Sequence, residues 1–407
     1  MIFFKLALRN VFRHKRRTIL SGIAIGIGLA ILIFRDAFML GMNYGLIKSA
    51  TNTFLGQGQI HAKGFRETFD VENTIHNLDA IENGLKGEPR LLQYTKRTQA
   101  FGMVTSPSDV ASLMVFGIDP KTERDISQID EAIIKGEYLT DDDPQKILLG
   151  SKTAEFLDVS VGDKIVVTVA MANTGELSQE MFRVGGIFQL NSKAIDNGFA
   201  YIHIDKARTL LGIGQDIHEI AIKFKDINDS GDKKNAFWDK YSKDDNEAIG
   251  WRQMIPQINA MFEMLKYQKI IMCSIIFSIV GLIIMNTLFM SLYERLYEFG
   301  VLRAIGTKPI NLASMIILES CVLSVISIII GIIIGFSFCY YYSINGITTT
   351  STEFGGTSLT EPLYTIMKFS QYIFNPLYVF IFSIVAAIYP AIYAARLTPA
   401  KAMKRSM

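Results

Sequence analysis

Long apolar stretches without charged residues alternate along the chain with polar blocks. The stretches at 18–34, 270–293 and 369–395 contain no charged side chain, and the stretch at 310–344 contains one, Glu319. A helix needs about 20 apolar residues to cross the hydrocarbon core of a bilayer. The pattern therefore predicts four transmembrane helices, at 18–40, 268–292, 310–342 and 373–395.

A large polar block, 41–267, separates the first two predicted spans. Alternation of apolar and polar residues predicts strands within it, and amphipathic spacing predicts helices. The predicted strands lie at 57–63, 113–118, 146–149, 164–170 and 199–204, and the predicted helices at 121–134, 151–157, 205–212 and 252–266. The fold class is thus an α-helical membrane protein with a large extracytoplasmic α+β domain of two lobes, in which the two ends of the block fold together.

The distribution of charge predicts the orientation of the chain. Its 41 Lys plus Arg nearly balance 39 Asp plus Glu, but the segments 1–17 and 396–407 carry several basic residues and no acidic one. The positive-inside rule then predicts that both termini are cytoplasmic. An amphipathic helix at 1–17, a loop at 293–309 and the tail at 396–407 lie inside, whereas the domain at 41–267 and a short loop at 343–372 lie outside. The basic residues form no continuous footprint for a nucleic acid, so no such partner is predicted.

Catalytic and metal-binding patterns are weak in this sequence. The three cysteines lie in apolar runs, and no two histidines are spaced as a metal pair. The acidic triplet 141–143 before Pro144 is interpreted as a solvated turn, with a cation site as the alternative. No complete phosphate-binding loop is found. We therefore predict no catalytic residue, no metal and no cofactor held by this chain, so the energy for any work comes from a partner.

The inner segments contain the most specific patterns. In 2–17, basic residues recur about every four positions, which predicts a helix at the headgroup boundary. This helix either anchors the topology or couples an inner partner to the first span, and one helix can do both. The segment 293–308, YERLYEFGVLRAIGTK, mixes charged and apolar residues and predicts a structured helix for docking, with Glu298 four residues from both Glu294 and Leu302.

Three features of the predicted spans bear on packing and function. A carboxylate inside a membrane is costly, which makes Glu319 a functional candidate. Small residues spaced by four predict close helix packing, and they are Gly22, Gly26, Gly331 and Gly335. Pro390 predicts a kink or the end of the fourth helix.

Three segments carry a resemblance to a known family. YERLYEFGVLRAIGTKPINLASMIILES resembles the signature of the FtsX-like or MacB-like ABC permeases (type VII), E-R-x-x-E-[IF]-G-[VI]-L-[RK]-A-[ILM]-G. LALRNVFRHKRRTILSGIAIGIGLAILI is similar to the entry helix of that family, and YPAIYAARLTPAKAMK to its closing motif. The outer block resembles a MacB-like periplasmic core domain more weakly, through GEYL, ILLG and VSVGDKI.

The resemblance implies a non-catalytic permease subunit. Such permeases pair with a second permease, a copy or a paralogue, and bind a cytoplasmic ATPase dimer that holds ATP and Mg. The short helix at 293–309 corresponds to a coupling helix, with Glu298 and Arg303 contacting the ATPase and Gly300 and Gly306 shaping the helix ends. Glu319 is expected to pair with a neighbouring base. The matching motif residues are Glu294, Arg295, Glu298, Gly300, Leu302, Arg303, Ala304 and Gly306.

Within this family, four spans and a large outer domain resemble the lipoprotein-releasing permeases LolC and LolE. The resemblance implies a bacterial inner-membrane protein that contacts lipid, extracts lipoproteins and hands them to a periplasmic carrier. MacB-like efflux of a drug, toxin or peptide and FtsX-like signalling to a cell-wall enzyme are the alternatives. Adaptable apolar side chains are candidates for a substrate cavity, with dimer packing as the alternative, and they are Met39, Met42, Tyr44, Met261, Met264 and Leu265.

Overall fold

The computed structural model describes residues 2–232, 235–347, 353–354, 357–358 and 362–396. Most of the predicted tail at 396–407 and part of the predicted loop at 343–372 therefore lie outside the described residues. The chain forms two compact units. We call one the helical unit (Met1–Tyr44, Phe262–Thr348 and Glu361–Met407) and the other the sheet domain (Gly45–Met261 and Thr349–Thr360).

Helices and strands alternate along the sheet domain, whereas the named elements of the helical unit are all helices. The helices are α1 Ile2–Arg13, α2 Lys15–Ala50, α3 Phe65–Thr68, α4 Leu78–Lys86, α5 Pro120–Glu123, α6 Ser151–Phe156, α7 Lys193–Gly198, α8 Ile204–Leu211, α9 Ile227–Gly231, α10 Ala236–Tyr241, α11 Trp251–Met254, α12 Pro256–Glu294, α13 Leu296–Ala304, α14 Pro309–Asn345 and α15 Gln371–Ala395. A π-helical turn, Thr51–Leu55, follows α2.

The strands are β1 Gly58–Ala62, β2 Leu91–Thr105, β3 Val110–Ile118, β4 Ile133–Gly136, β5 Lys146–Gly150, β6 Lys164–Ala170, β7 Leu177–Phe188, β8 Phe199–His203, β9 Glu219–Phe224, β10 Asn246–Gly250, β11 Glu353–Phe354 and β12 Thr357–Ser358. The last two pair with each other. The other ten form one sheet in the order β10-β1-β9-β2-β3-β8-β5-β7-β4, with β6 paired to β2 and β7.

Four helices in the described part of the chain are long and apolar enough to cross a membrane, as the sequence predicts: α2, α12, α14 and α15. Both α2, with 36 residues, and α12, with 39, exceed the length that a bilayer requires. At 1.5 Å per residue α12 is roughly 58 Å long. The fourth helix does not end at Pro390, because α15 continues to Ala395.

The sheet domain confirms all five predicted strands and corrects one predicted helix. The segment 121–134 is not a helix: α5 stops at Glu123 and β4 starts at Ile133. Ile126 and Ile129 are buried, so their three-residue spacing imitates a helical face although they belong to an irregular segment. The predicted helix at 252–266 is interrupted at Ile255, between α11 and α12.

The long strand β2 explains why the two predicted lobes form one body. Its first part, up to Arg97, pairs with β9, and its second part, from Arg97 onward, pairs with β3. Each part of the sheet covers a separate hydrophobic cluster. The two ends of the polar block do fold together, because β1 pairs antiparallel with β10, with Gly58 opposite Gly250.

Glycines bring α2 and α14 into close contact inside the helical unit. A Cβ atom added at Gly331 would lie 2.7 Å from the carbonyl oxygen of Gly26, and one at Gly26 would lie 3.1 Å from the carbonyl oxygen of Ser327. Neither backbone oxygen can move aside without shifting its helix. The predicted role of small residues in helix packing is therefore confirmed at these positions.

We predict that Gly331→Ala destabilises the detergent-solubilised protein by about 1–3 kcal/mol, because the added methyl group overpacks a backbone contact. The measurement is thermal unfolding in detergent micelles. Gly22→Ala is the matched control on α2, since its Cβ would meet only side-chain atoms, at 3.6–3.8 Å. Equal unfolding temperatures for the two variants would contradict close packing at Gly331.

Candidate functional site

The segment that carries the family signature folds as a bent helical joint. α12 ends at Glu294, Arg295 leaves helical geometry with φ −115° and ψ 15°, and α13 begins at Leu296. Glu294 and Glu298 are therefore on two different helices, which differs from the continuous helix that the sequence predicts.

The far end of α13 is closed by a turn that requires a glycine. Gly306 has φ +96°, and the Thr307 N–H donates to the carbonyl oxygen of Leu302 at 2.9 Å. The Arg303 guanidinium donates to the carbonyl oxygen of Thr307 at 3.0 Å, so this side chain holds the turn that follows the helix. Gly300, expected at a helix end, is instead buried in the middle of α13.

A buried ion pair fixes this joint to α14. Arg295 Nη1 donates to Glu319 Oε1 at 2.9 Å, and both side chains are about 6% exposed. Ser291 Oγ donates to the second carboxylate oxygen at 3.3 Å. The Arg295 guanidinium also lies over the Phe299 ring, 4.9 Å from its centroid. Glu319 is thus a structural partner of Arg295, as expected from its proximity to basic residues.

A second set of ion pairs ties α13 and the end of α12 to the N-terminal helices. Arg13 Nη1 lies 3.2 Å from Glu298 Oε1, and Arg17 Nη1 lies 2.6 Å from Glu294 Oε2. Arg295 Nε also donates to Glu298, at 3.0 Å. We call these pairs, together with Arg295–Glu319, the ion-pair network. It connects α1, α2, α12, α13 and α14 at one end of the helical unit.

The ion pairs of the network favour the charged form of Glu298. Burial acts to raise the pKa of the Glu298 carboxyl, but the ion pairs with Arg295 and Arg13 outweigh it and hold that pKa below its usual value. Exposed ion pairs contribute little stability individually, about 0–1 kcal/mol each. Their effect here is to hold α13 in one orientation rather than to stabilise the fold.

The outward face of α13 is apolar. Tyr297, Val301 and Ile305 follow one another at four-residue spacing and are exposed by 56%, 38% and 73%. We call these three residues the apolar ridge. Ala304 is exposed beside it, whereas Leu302 packs partly against the core of the helical unit. Contiguous exposed apolar side chains on a charged surface are typical of a protein-binding site.

Sequence reasoning found the segment but missed part of its geometry. Arg13 and Arg17 were identified by their spacing alone, without their acidic partners, which lie 277 or more residues away. Tyr297 is absent from the motif residues, although its four-residue spacing from Val301 is a signal that the sequence does carry.

The predicted substrate-cavity residues fall in both units. Met261 belongs to the sheet domain, and the other five belong to the helical unit. Tyr44 and Met264 are exposed, and Met39, Met42 and Leu265 are partly exposed. Their role as a cavity lining stays a prediction.

The acidic turn at 141–143 is engaged with basic groups. Lys121 and His203 hydrogen-bond to Asp141 and hold the pKa of its carboxyl below the usual range. Lys146 also pairs with Asp143, at 3.8 Å. No group of three metal-ligating side chains occurs within the described ranges.

Comparison with known proteins identifies two family matches. Residues 18–236 match the MacB-like periplasmic core domain, and residues 270–399 match the FtsX-like permease C-terminal family. The first match alone covers more than half of the chain.

Named relatives agree with these matches. The chain is 22% identical over 315 residues to the lipoprotein-releasing system transmembrane protein LolC of Xylella fastidiosa, with 72% of each chain covered. It is 21% identical to LolE of Haemophilus influenzae, covering 94% of this chain and 93% of that one. It is also 22% identical to the macrolide export ATP-binding/permease protein MacB of Campylobacter jejuni, covering 99% of this chain and 61% of that one.

We predict that Arg295→Met destabilises the protein by about 3–5 kcal/mol, because it leaves the Glu319 carboxylate buried without its partner. The double variant Arg295→Met/Glu319→Leu should recover most of this loss, since an apolar pair needs no compensation. Unfolding in detergent measures both. Arg13→Met, which removes an exposed ion pair, is the control and should change stability by less than about 1 kcal/mol. An equal loss in the single and double variants would contradict a buried pair.

Proposed function

The chain belongs to the ABC transporter permeases of the FtsX-like and MacB-like family, and on that premise we propose that it releases lipoproteins from the bacterial inner membrane. The energy comes from ATP hydrolysis in a separate cytoplasmic ATPase dimer, which holds the ATP and Mg. A second permease, a copy of this chain or a paralogue, completes the complex. Both termini and α13 face the cytoplasm, and the sheet domain lies in the periplasm.

The coupling role is supported by the different surroundings of the side chains at α13. Arg295, directly before α13, is buried in the ion-pair network, and the half-exposed Glu298 on α13 joins it, while the apolar ridge is exposed. An ATPase that moved the ridge would move a helix already bound to α1 and α14. Because Arg17 and Glu294 join α2 to α12 at the same end, the displacement would reach both long helices together.

The long helices suit a transfer of movement out of the membrane. α2 runs from the ion-pair network without a break to Ala50, and α12 runs from Pro256 to Glu294. Each helix is longer than a bilayer requires. A movement of its cytoplasmic end can therefore displace the part of the helix that extends past the opposite membrane surface. This supports mechanical work on a cargo over passage of a small solute between the helices.

The relatives named LolC and LolE support a lipoprotein as the cargo. Extraction of an acylated protein is costly, at about 0.8 kcal/mol for each buried methylene, so it needs an energy source. A periplasmic carrier would then receive the lipoprotein. Efflux of a drug, toxin or peptide is the second candidate, and the match of 99% of this chain to a macrolide exporter favours efflux over signalling to a cell-wall enzyme.

The apolar ridge gives a direct test of ATPase docking. We predict that Val301→Asp weakens binding of the ATPase about tenfold or more, because a charge replaces a central apolar contact. Co-purification and titration with the ATPase measure this effect. Thr307→Asp introduces the same charge six residues later, outside the ridge, and should bind normally. Equal weakening by both substitutions, or by neither, would contradict docking through the ridge.

Release itself can be measured in proteoliposomes that contain the permease, its ATPase and a triacylated lipoprotein. We expect ATP to drive the lipoprotein into the soluble fraction when a carrier is present. The Val301→Asp variant should lose this release, while Thr307→Asp should retain it. If the permease stimulates the ATPase but nothing is released, the proposed cargo is wrong and efflux becomes the better interpretation.

A further inference from the structure

The sheet domain contains an open cavity of about 440 Å³ whose lining includes five phenylalanines. We call it the aromatic cavity. This volume falls within the range typical of small-ligand sites, about 300–1,000 Å³. Its lining includes Phe54, Phe69, Phe101, Met114, Phe116 and Phe199.

One wall of the aromatic cavity is fixed by a buried arginine. Arg97 is fully buried and donates to the carbonyl oxygen of Phe54 at 2.6 Å, and its guanidinium lies 3.9 Å from the centroid of the Phe54 ring. Glu123 and Glu219 neutralise this arginine, with contacts of 2.6 Å and 2.9 Å. A buried charge with this many partners is held in a single orientation. The Phe54 ring, which packs against it, is therefore held in place as well.

The lining also contains an aromatic residue with unusual backbone geometry. Phe69 has φ +55°, a left-handed conformation that costs a bulky side chain about 1–3 kcal/mol. Its ring packs edge-on against Phe101 with centroids 5.7 Å apart, and Phe101 is 63% exposed at the mouth. This conformation belongs to the end of α3, where the Phe69 N–H donates to the carbonyl oxygen of Phe65 at 2.7 Å, and the exposed Phe101 ring leaves the site open to a ligand.

The polar groups in the lining limit what the ligand can be. Glu219 is occupied by Arg97 and Gln99. Arg66 makes two hydrogen bonds among the described residues, to Gln59 at 2.5 Å and to the carbonyl oxygen of Met254 at 3.3 Å. A guanidinium has five N–H groups, so Arg66 retains donors for one further acceptor. The site therefore suits a hydrocarbon chain that carries an oxygen acceptor at one end.

We propose that the aromatic cavity binds one acyl chain of the lipid-modified cargo, with the carbonyl oxygen of that chain accepting a hydrogen bond from Arg66. The proposal rests on the lipoprotein function proposed above and extends it to a site outside the membrane helices. Phe54 lies in the π-helical turn that directly follows α2. Because Arg97 fixes this turn to the sheet, the wall that Phe54 forms is continuous with α2.

The test uses the full-length protein with its ATPase in phospholipid nanodiscs. The probe is a synthetic tripalmitoylated cysteine lipopeptide with a diazirine on one acyl chain. After irradiation and digestion, mass spectrometry locates the adducts. We expect them on the peptides that contain Phe101 and Met114. Phe101→Ala should reduce labelling about tenfold, because it removes an aromatic contact at the mouth. Arg66→Gln should reduce labelling as well.

Leu92→Ala is the matched control, since Leu92 is an exposed apolar residue on the same strand, β2, outside the cavity. It should label like the parent protein. Adducts confined to the membrane helices, or cavity labelling that Phe101→Ala leaves unchanged, would overturn the site. Equal labelling of the cavity by a diazirine phospholipid, undiminished by excess lipopeptide, would overturn the assignment to cargo.

The release assay on the same variants separates this inference from the proposed function. ATP-driven release without labelling of the cavity would overturn the acyl-chain site and leave lipoprotein release standing. Labelling of the cavity without any release would support the site and count against release.

Discussion

The carboxylate of Glu319 is the constraint on which the arrangement at one end of the helical unit depends. An unpaired charge in an apolar helix is costly, so its position requires a base nearby. Arg295 meets that requirement because α12 bends at this residue and directs the guanidinium toward α14. The bend in turn sets where α13 begins. One buried pair thus determines both the direction of α13 and the helix to which it is attached.

The sheet domain contains a second buried arginine with a comparable role. Arg97 lies where β2 changes partners from β9 to β3, and its two glutamates come from α5 and β9. Its hydrogen bond to Phe54 attaches the turn after α2 to the middle of the sheet. Each unit therefore fixes one part of α2, or of the turn after it, through an arginine. Arg17 pairs with Glu294 in the helical unit, and Arg97 donates to the carbonyl oxygen of Phe54 in the sheet domain.

Regular patterns in the sequence were sufficient to predict the spans and five strands, because hydrophobic periodicity is a local property. They did not predict β2, whose charged residues, Lys96 and Arg97, are typical of a solvated segment. Arg97 is buried because Glu219 neutralises it from 122 residues away. Long-range pairing of this kind leaves no local signal. The same reason explains why the sequence does not reveal the ion pairs of Glu298 with Arg13 and Arg295, and the contact of Glu298 with the ATPase stays a prediction.

The geometry of α13 changes how the family signature is interpreted. Glu294, Arg295 and Glu298 match the signature, yet all three form ion pairs within the chain. Through these ion pairs, the motif residues hold α13 in its orientation. These three charges are thus engaged within the chain, whereas the apolar ridge is exposed.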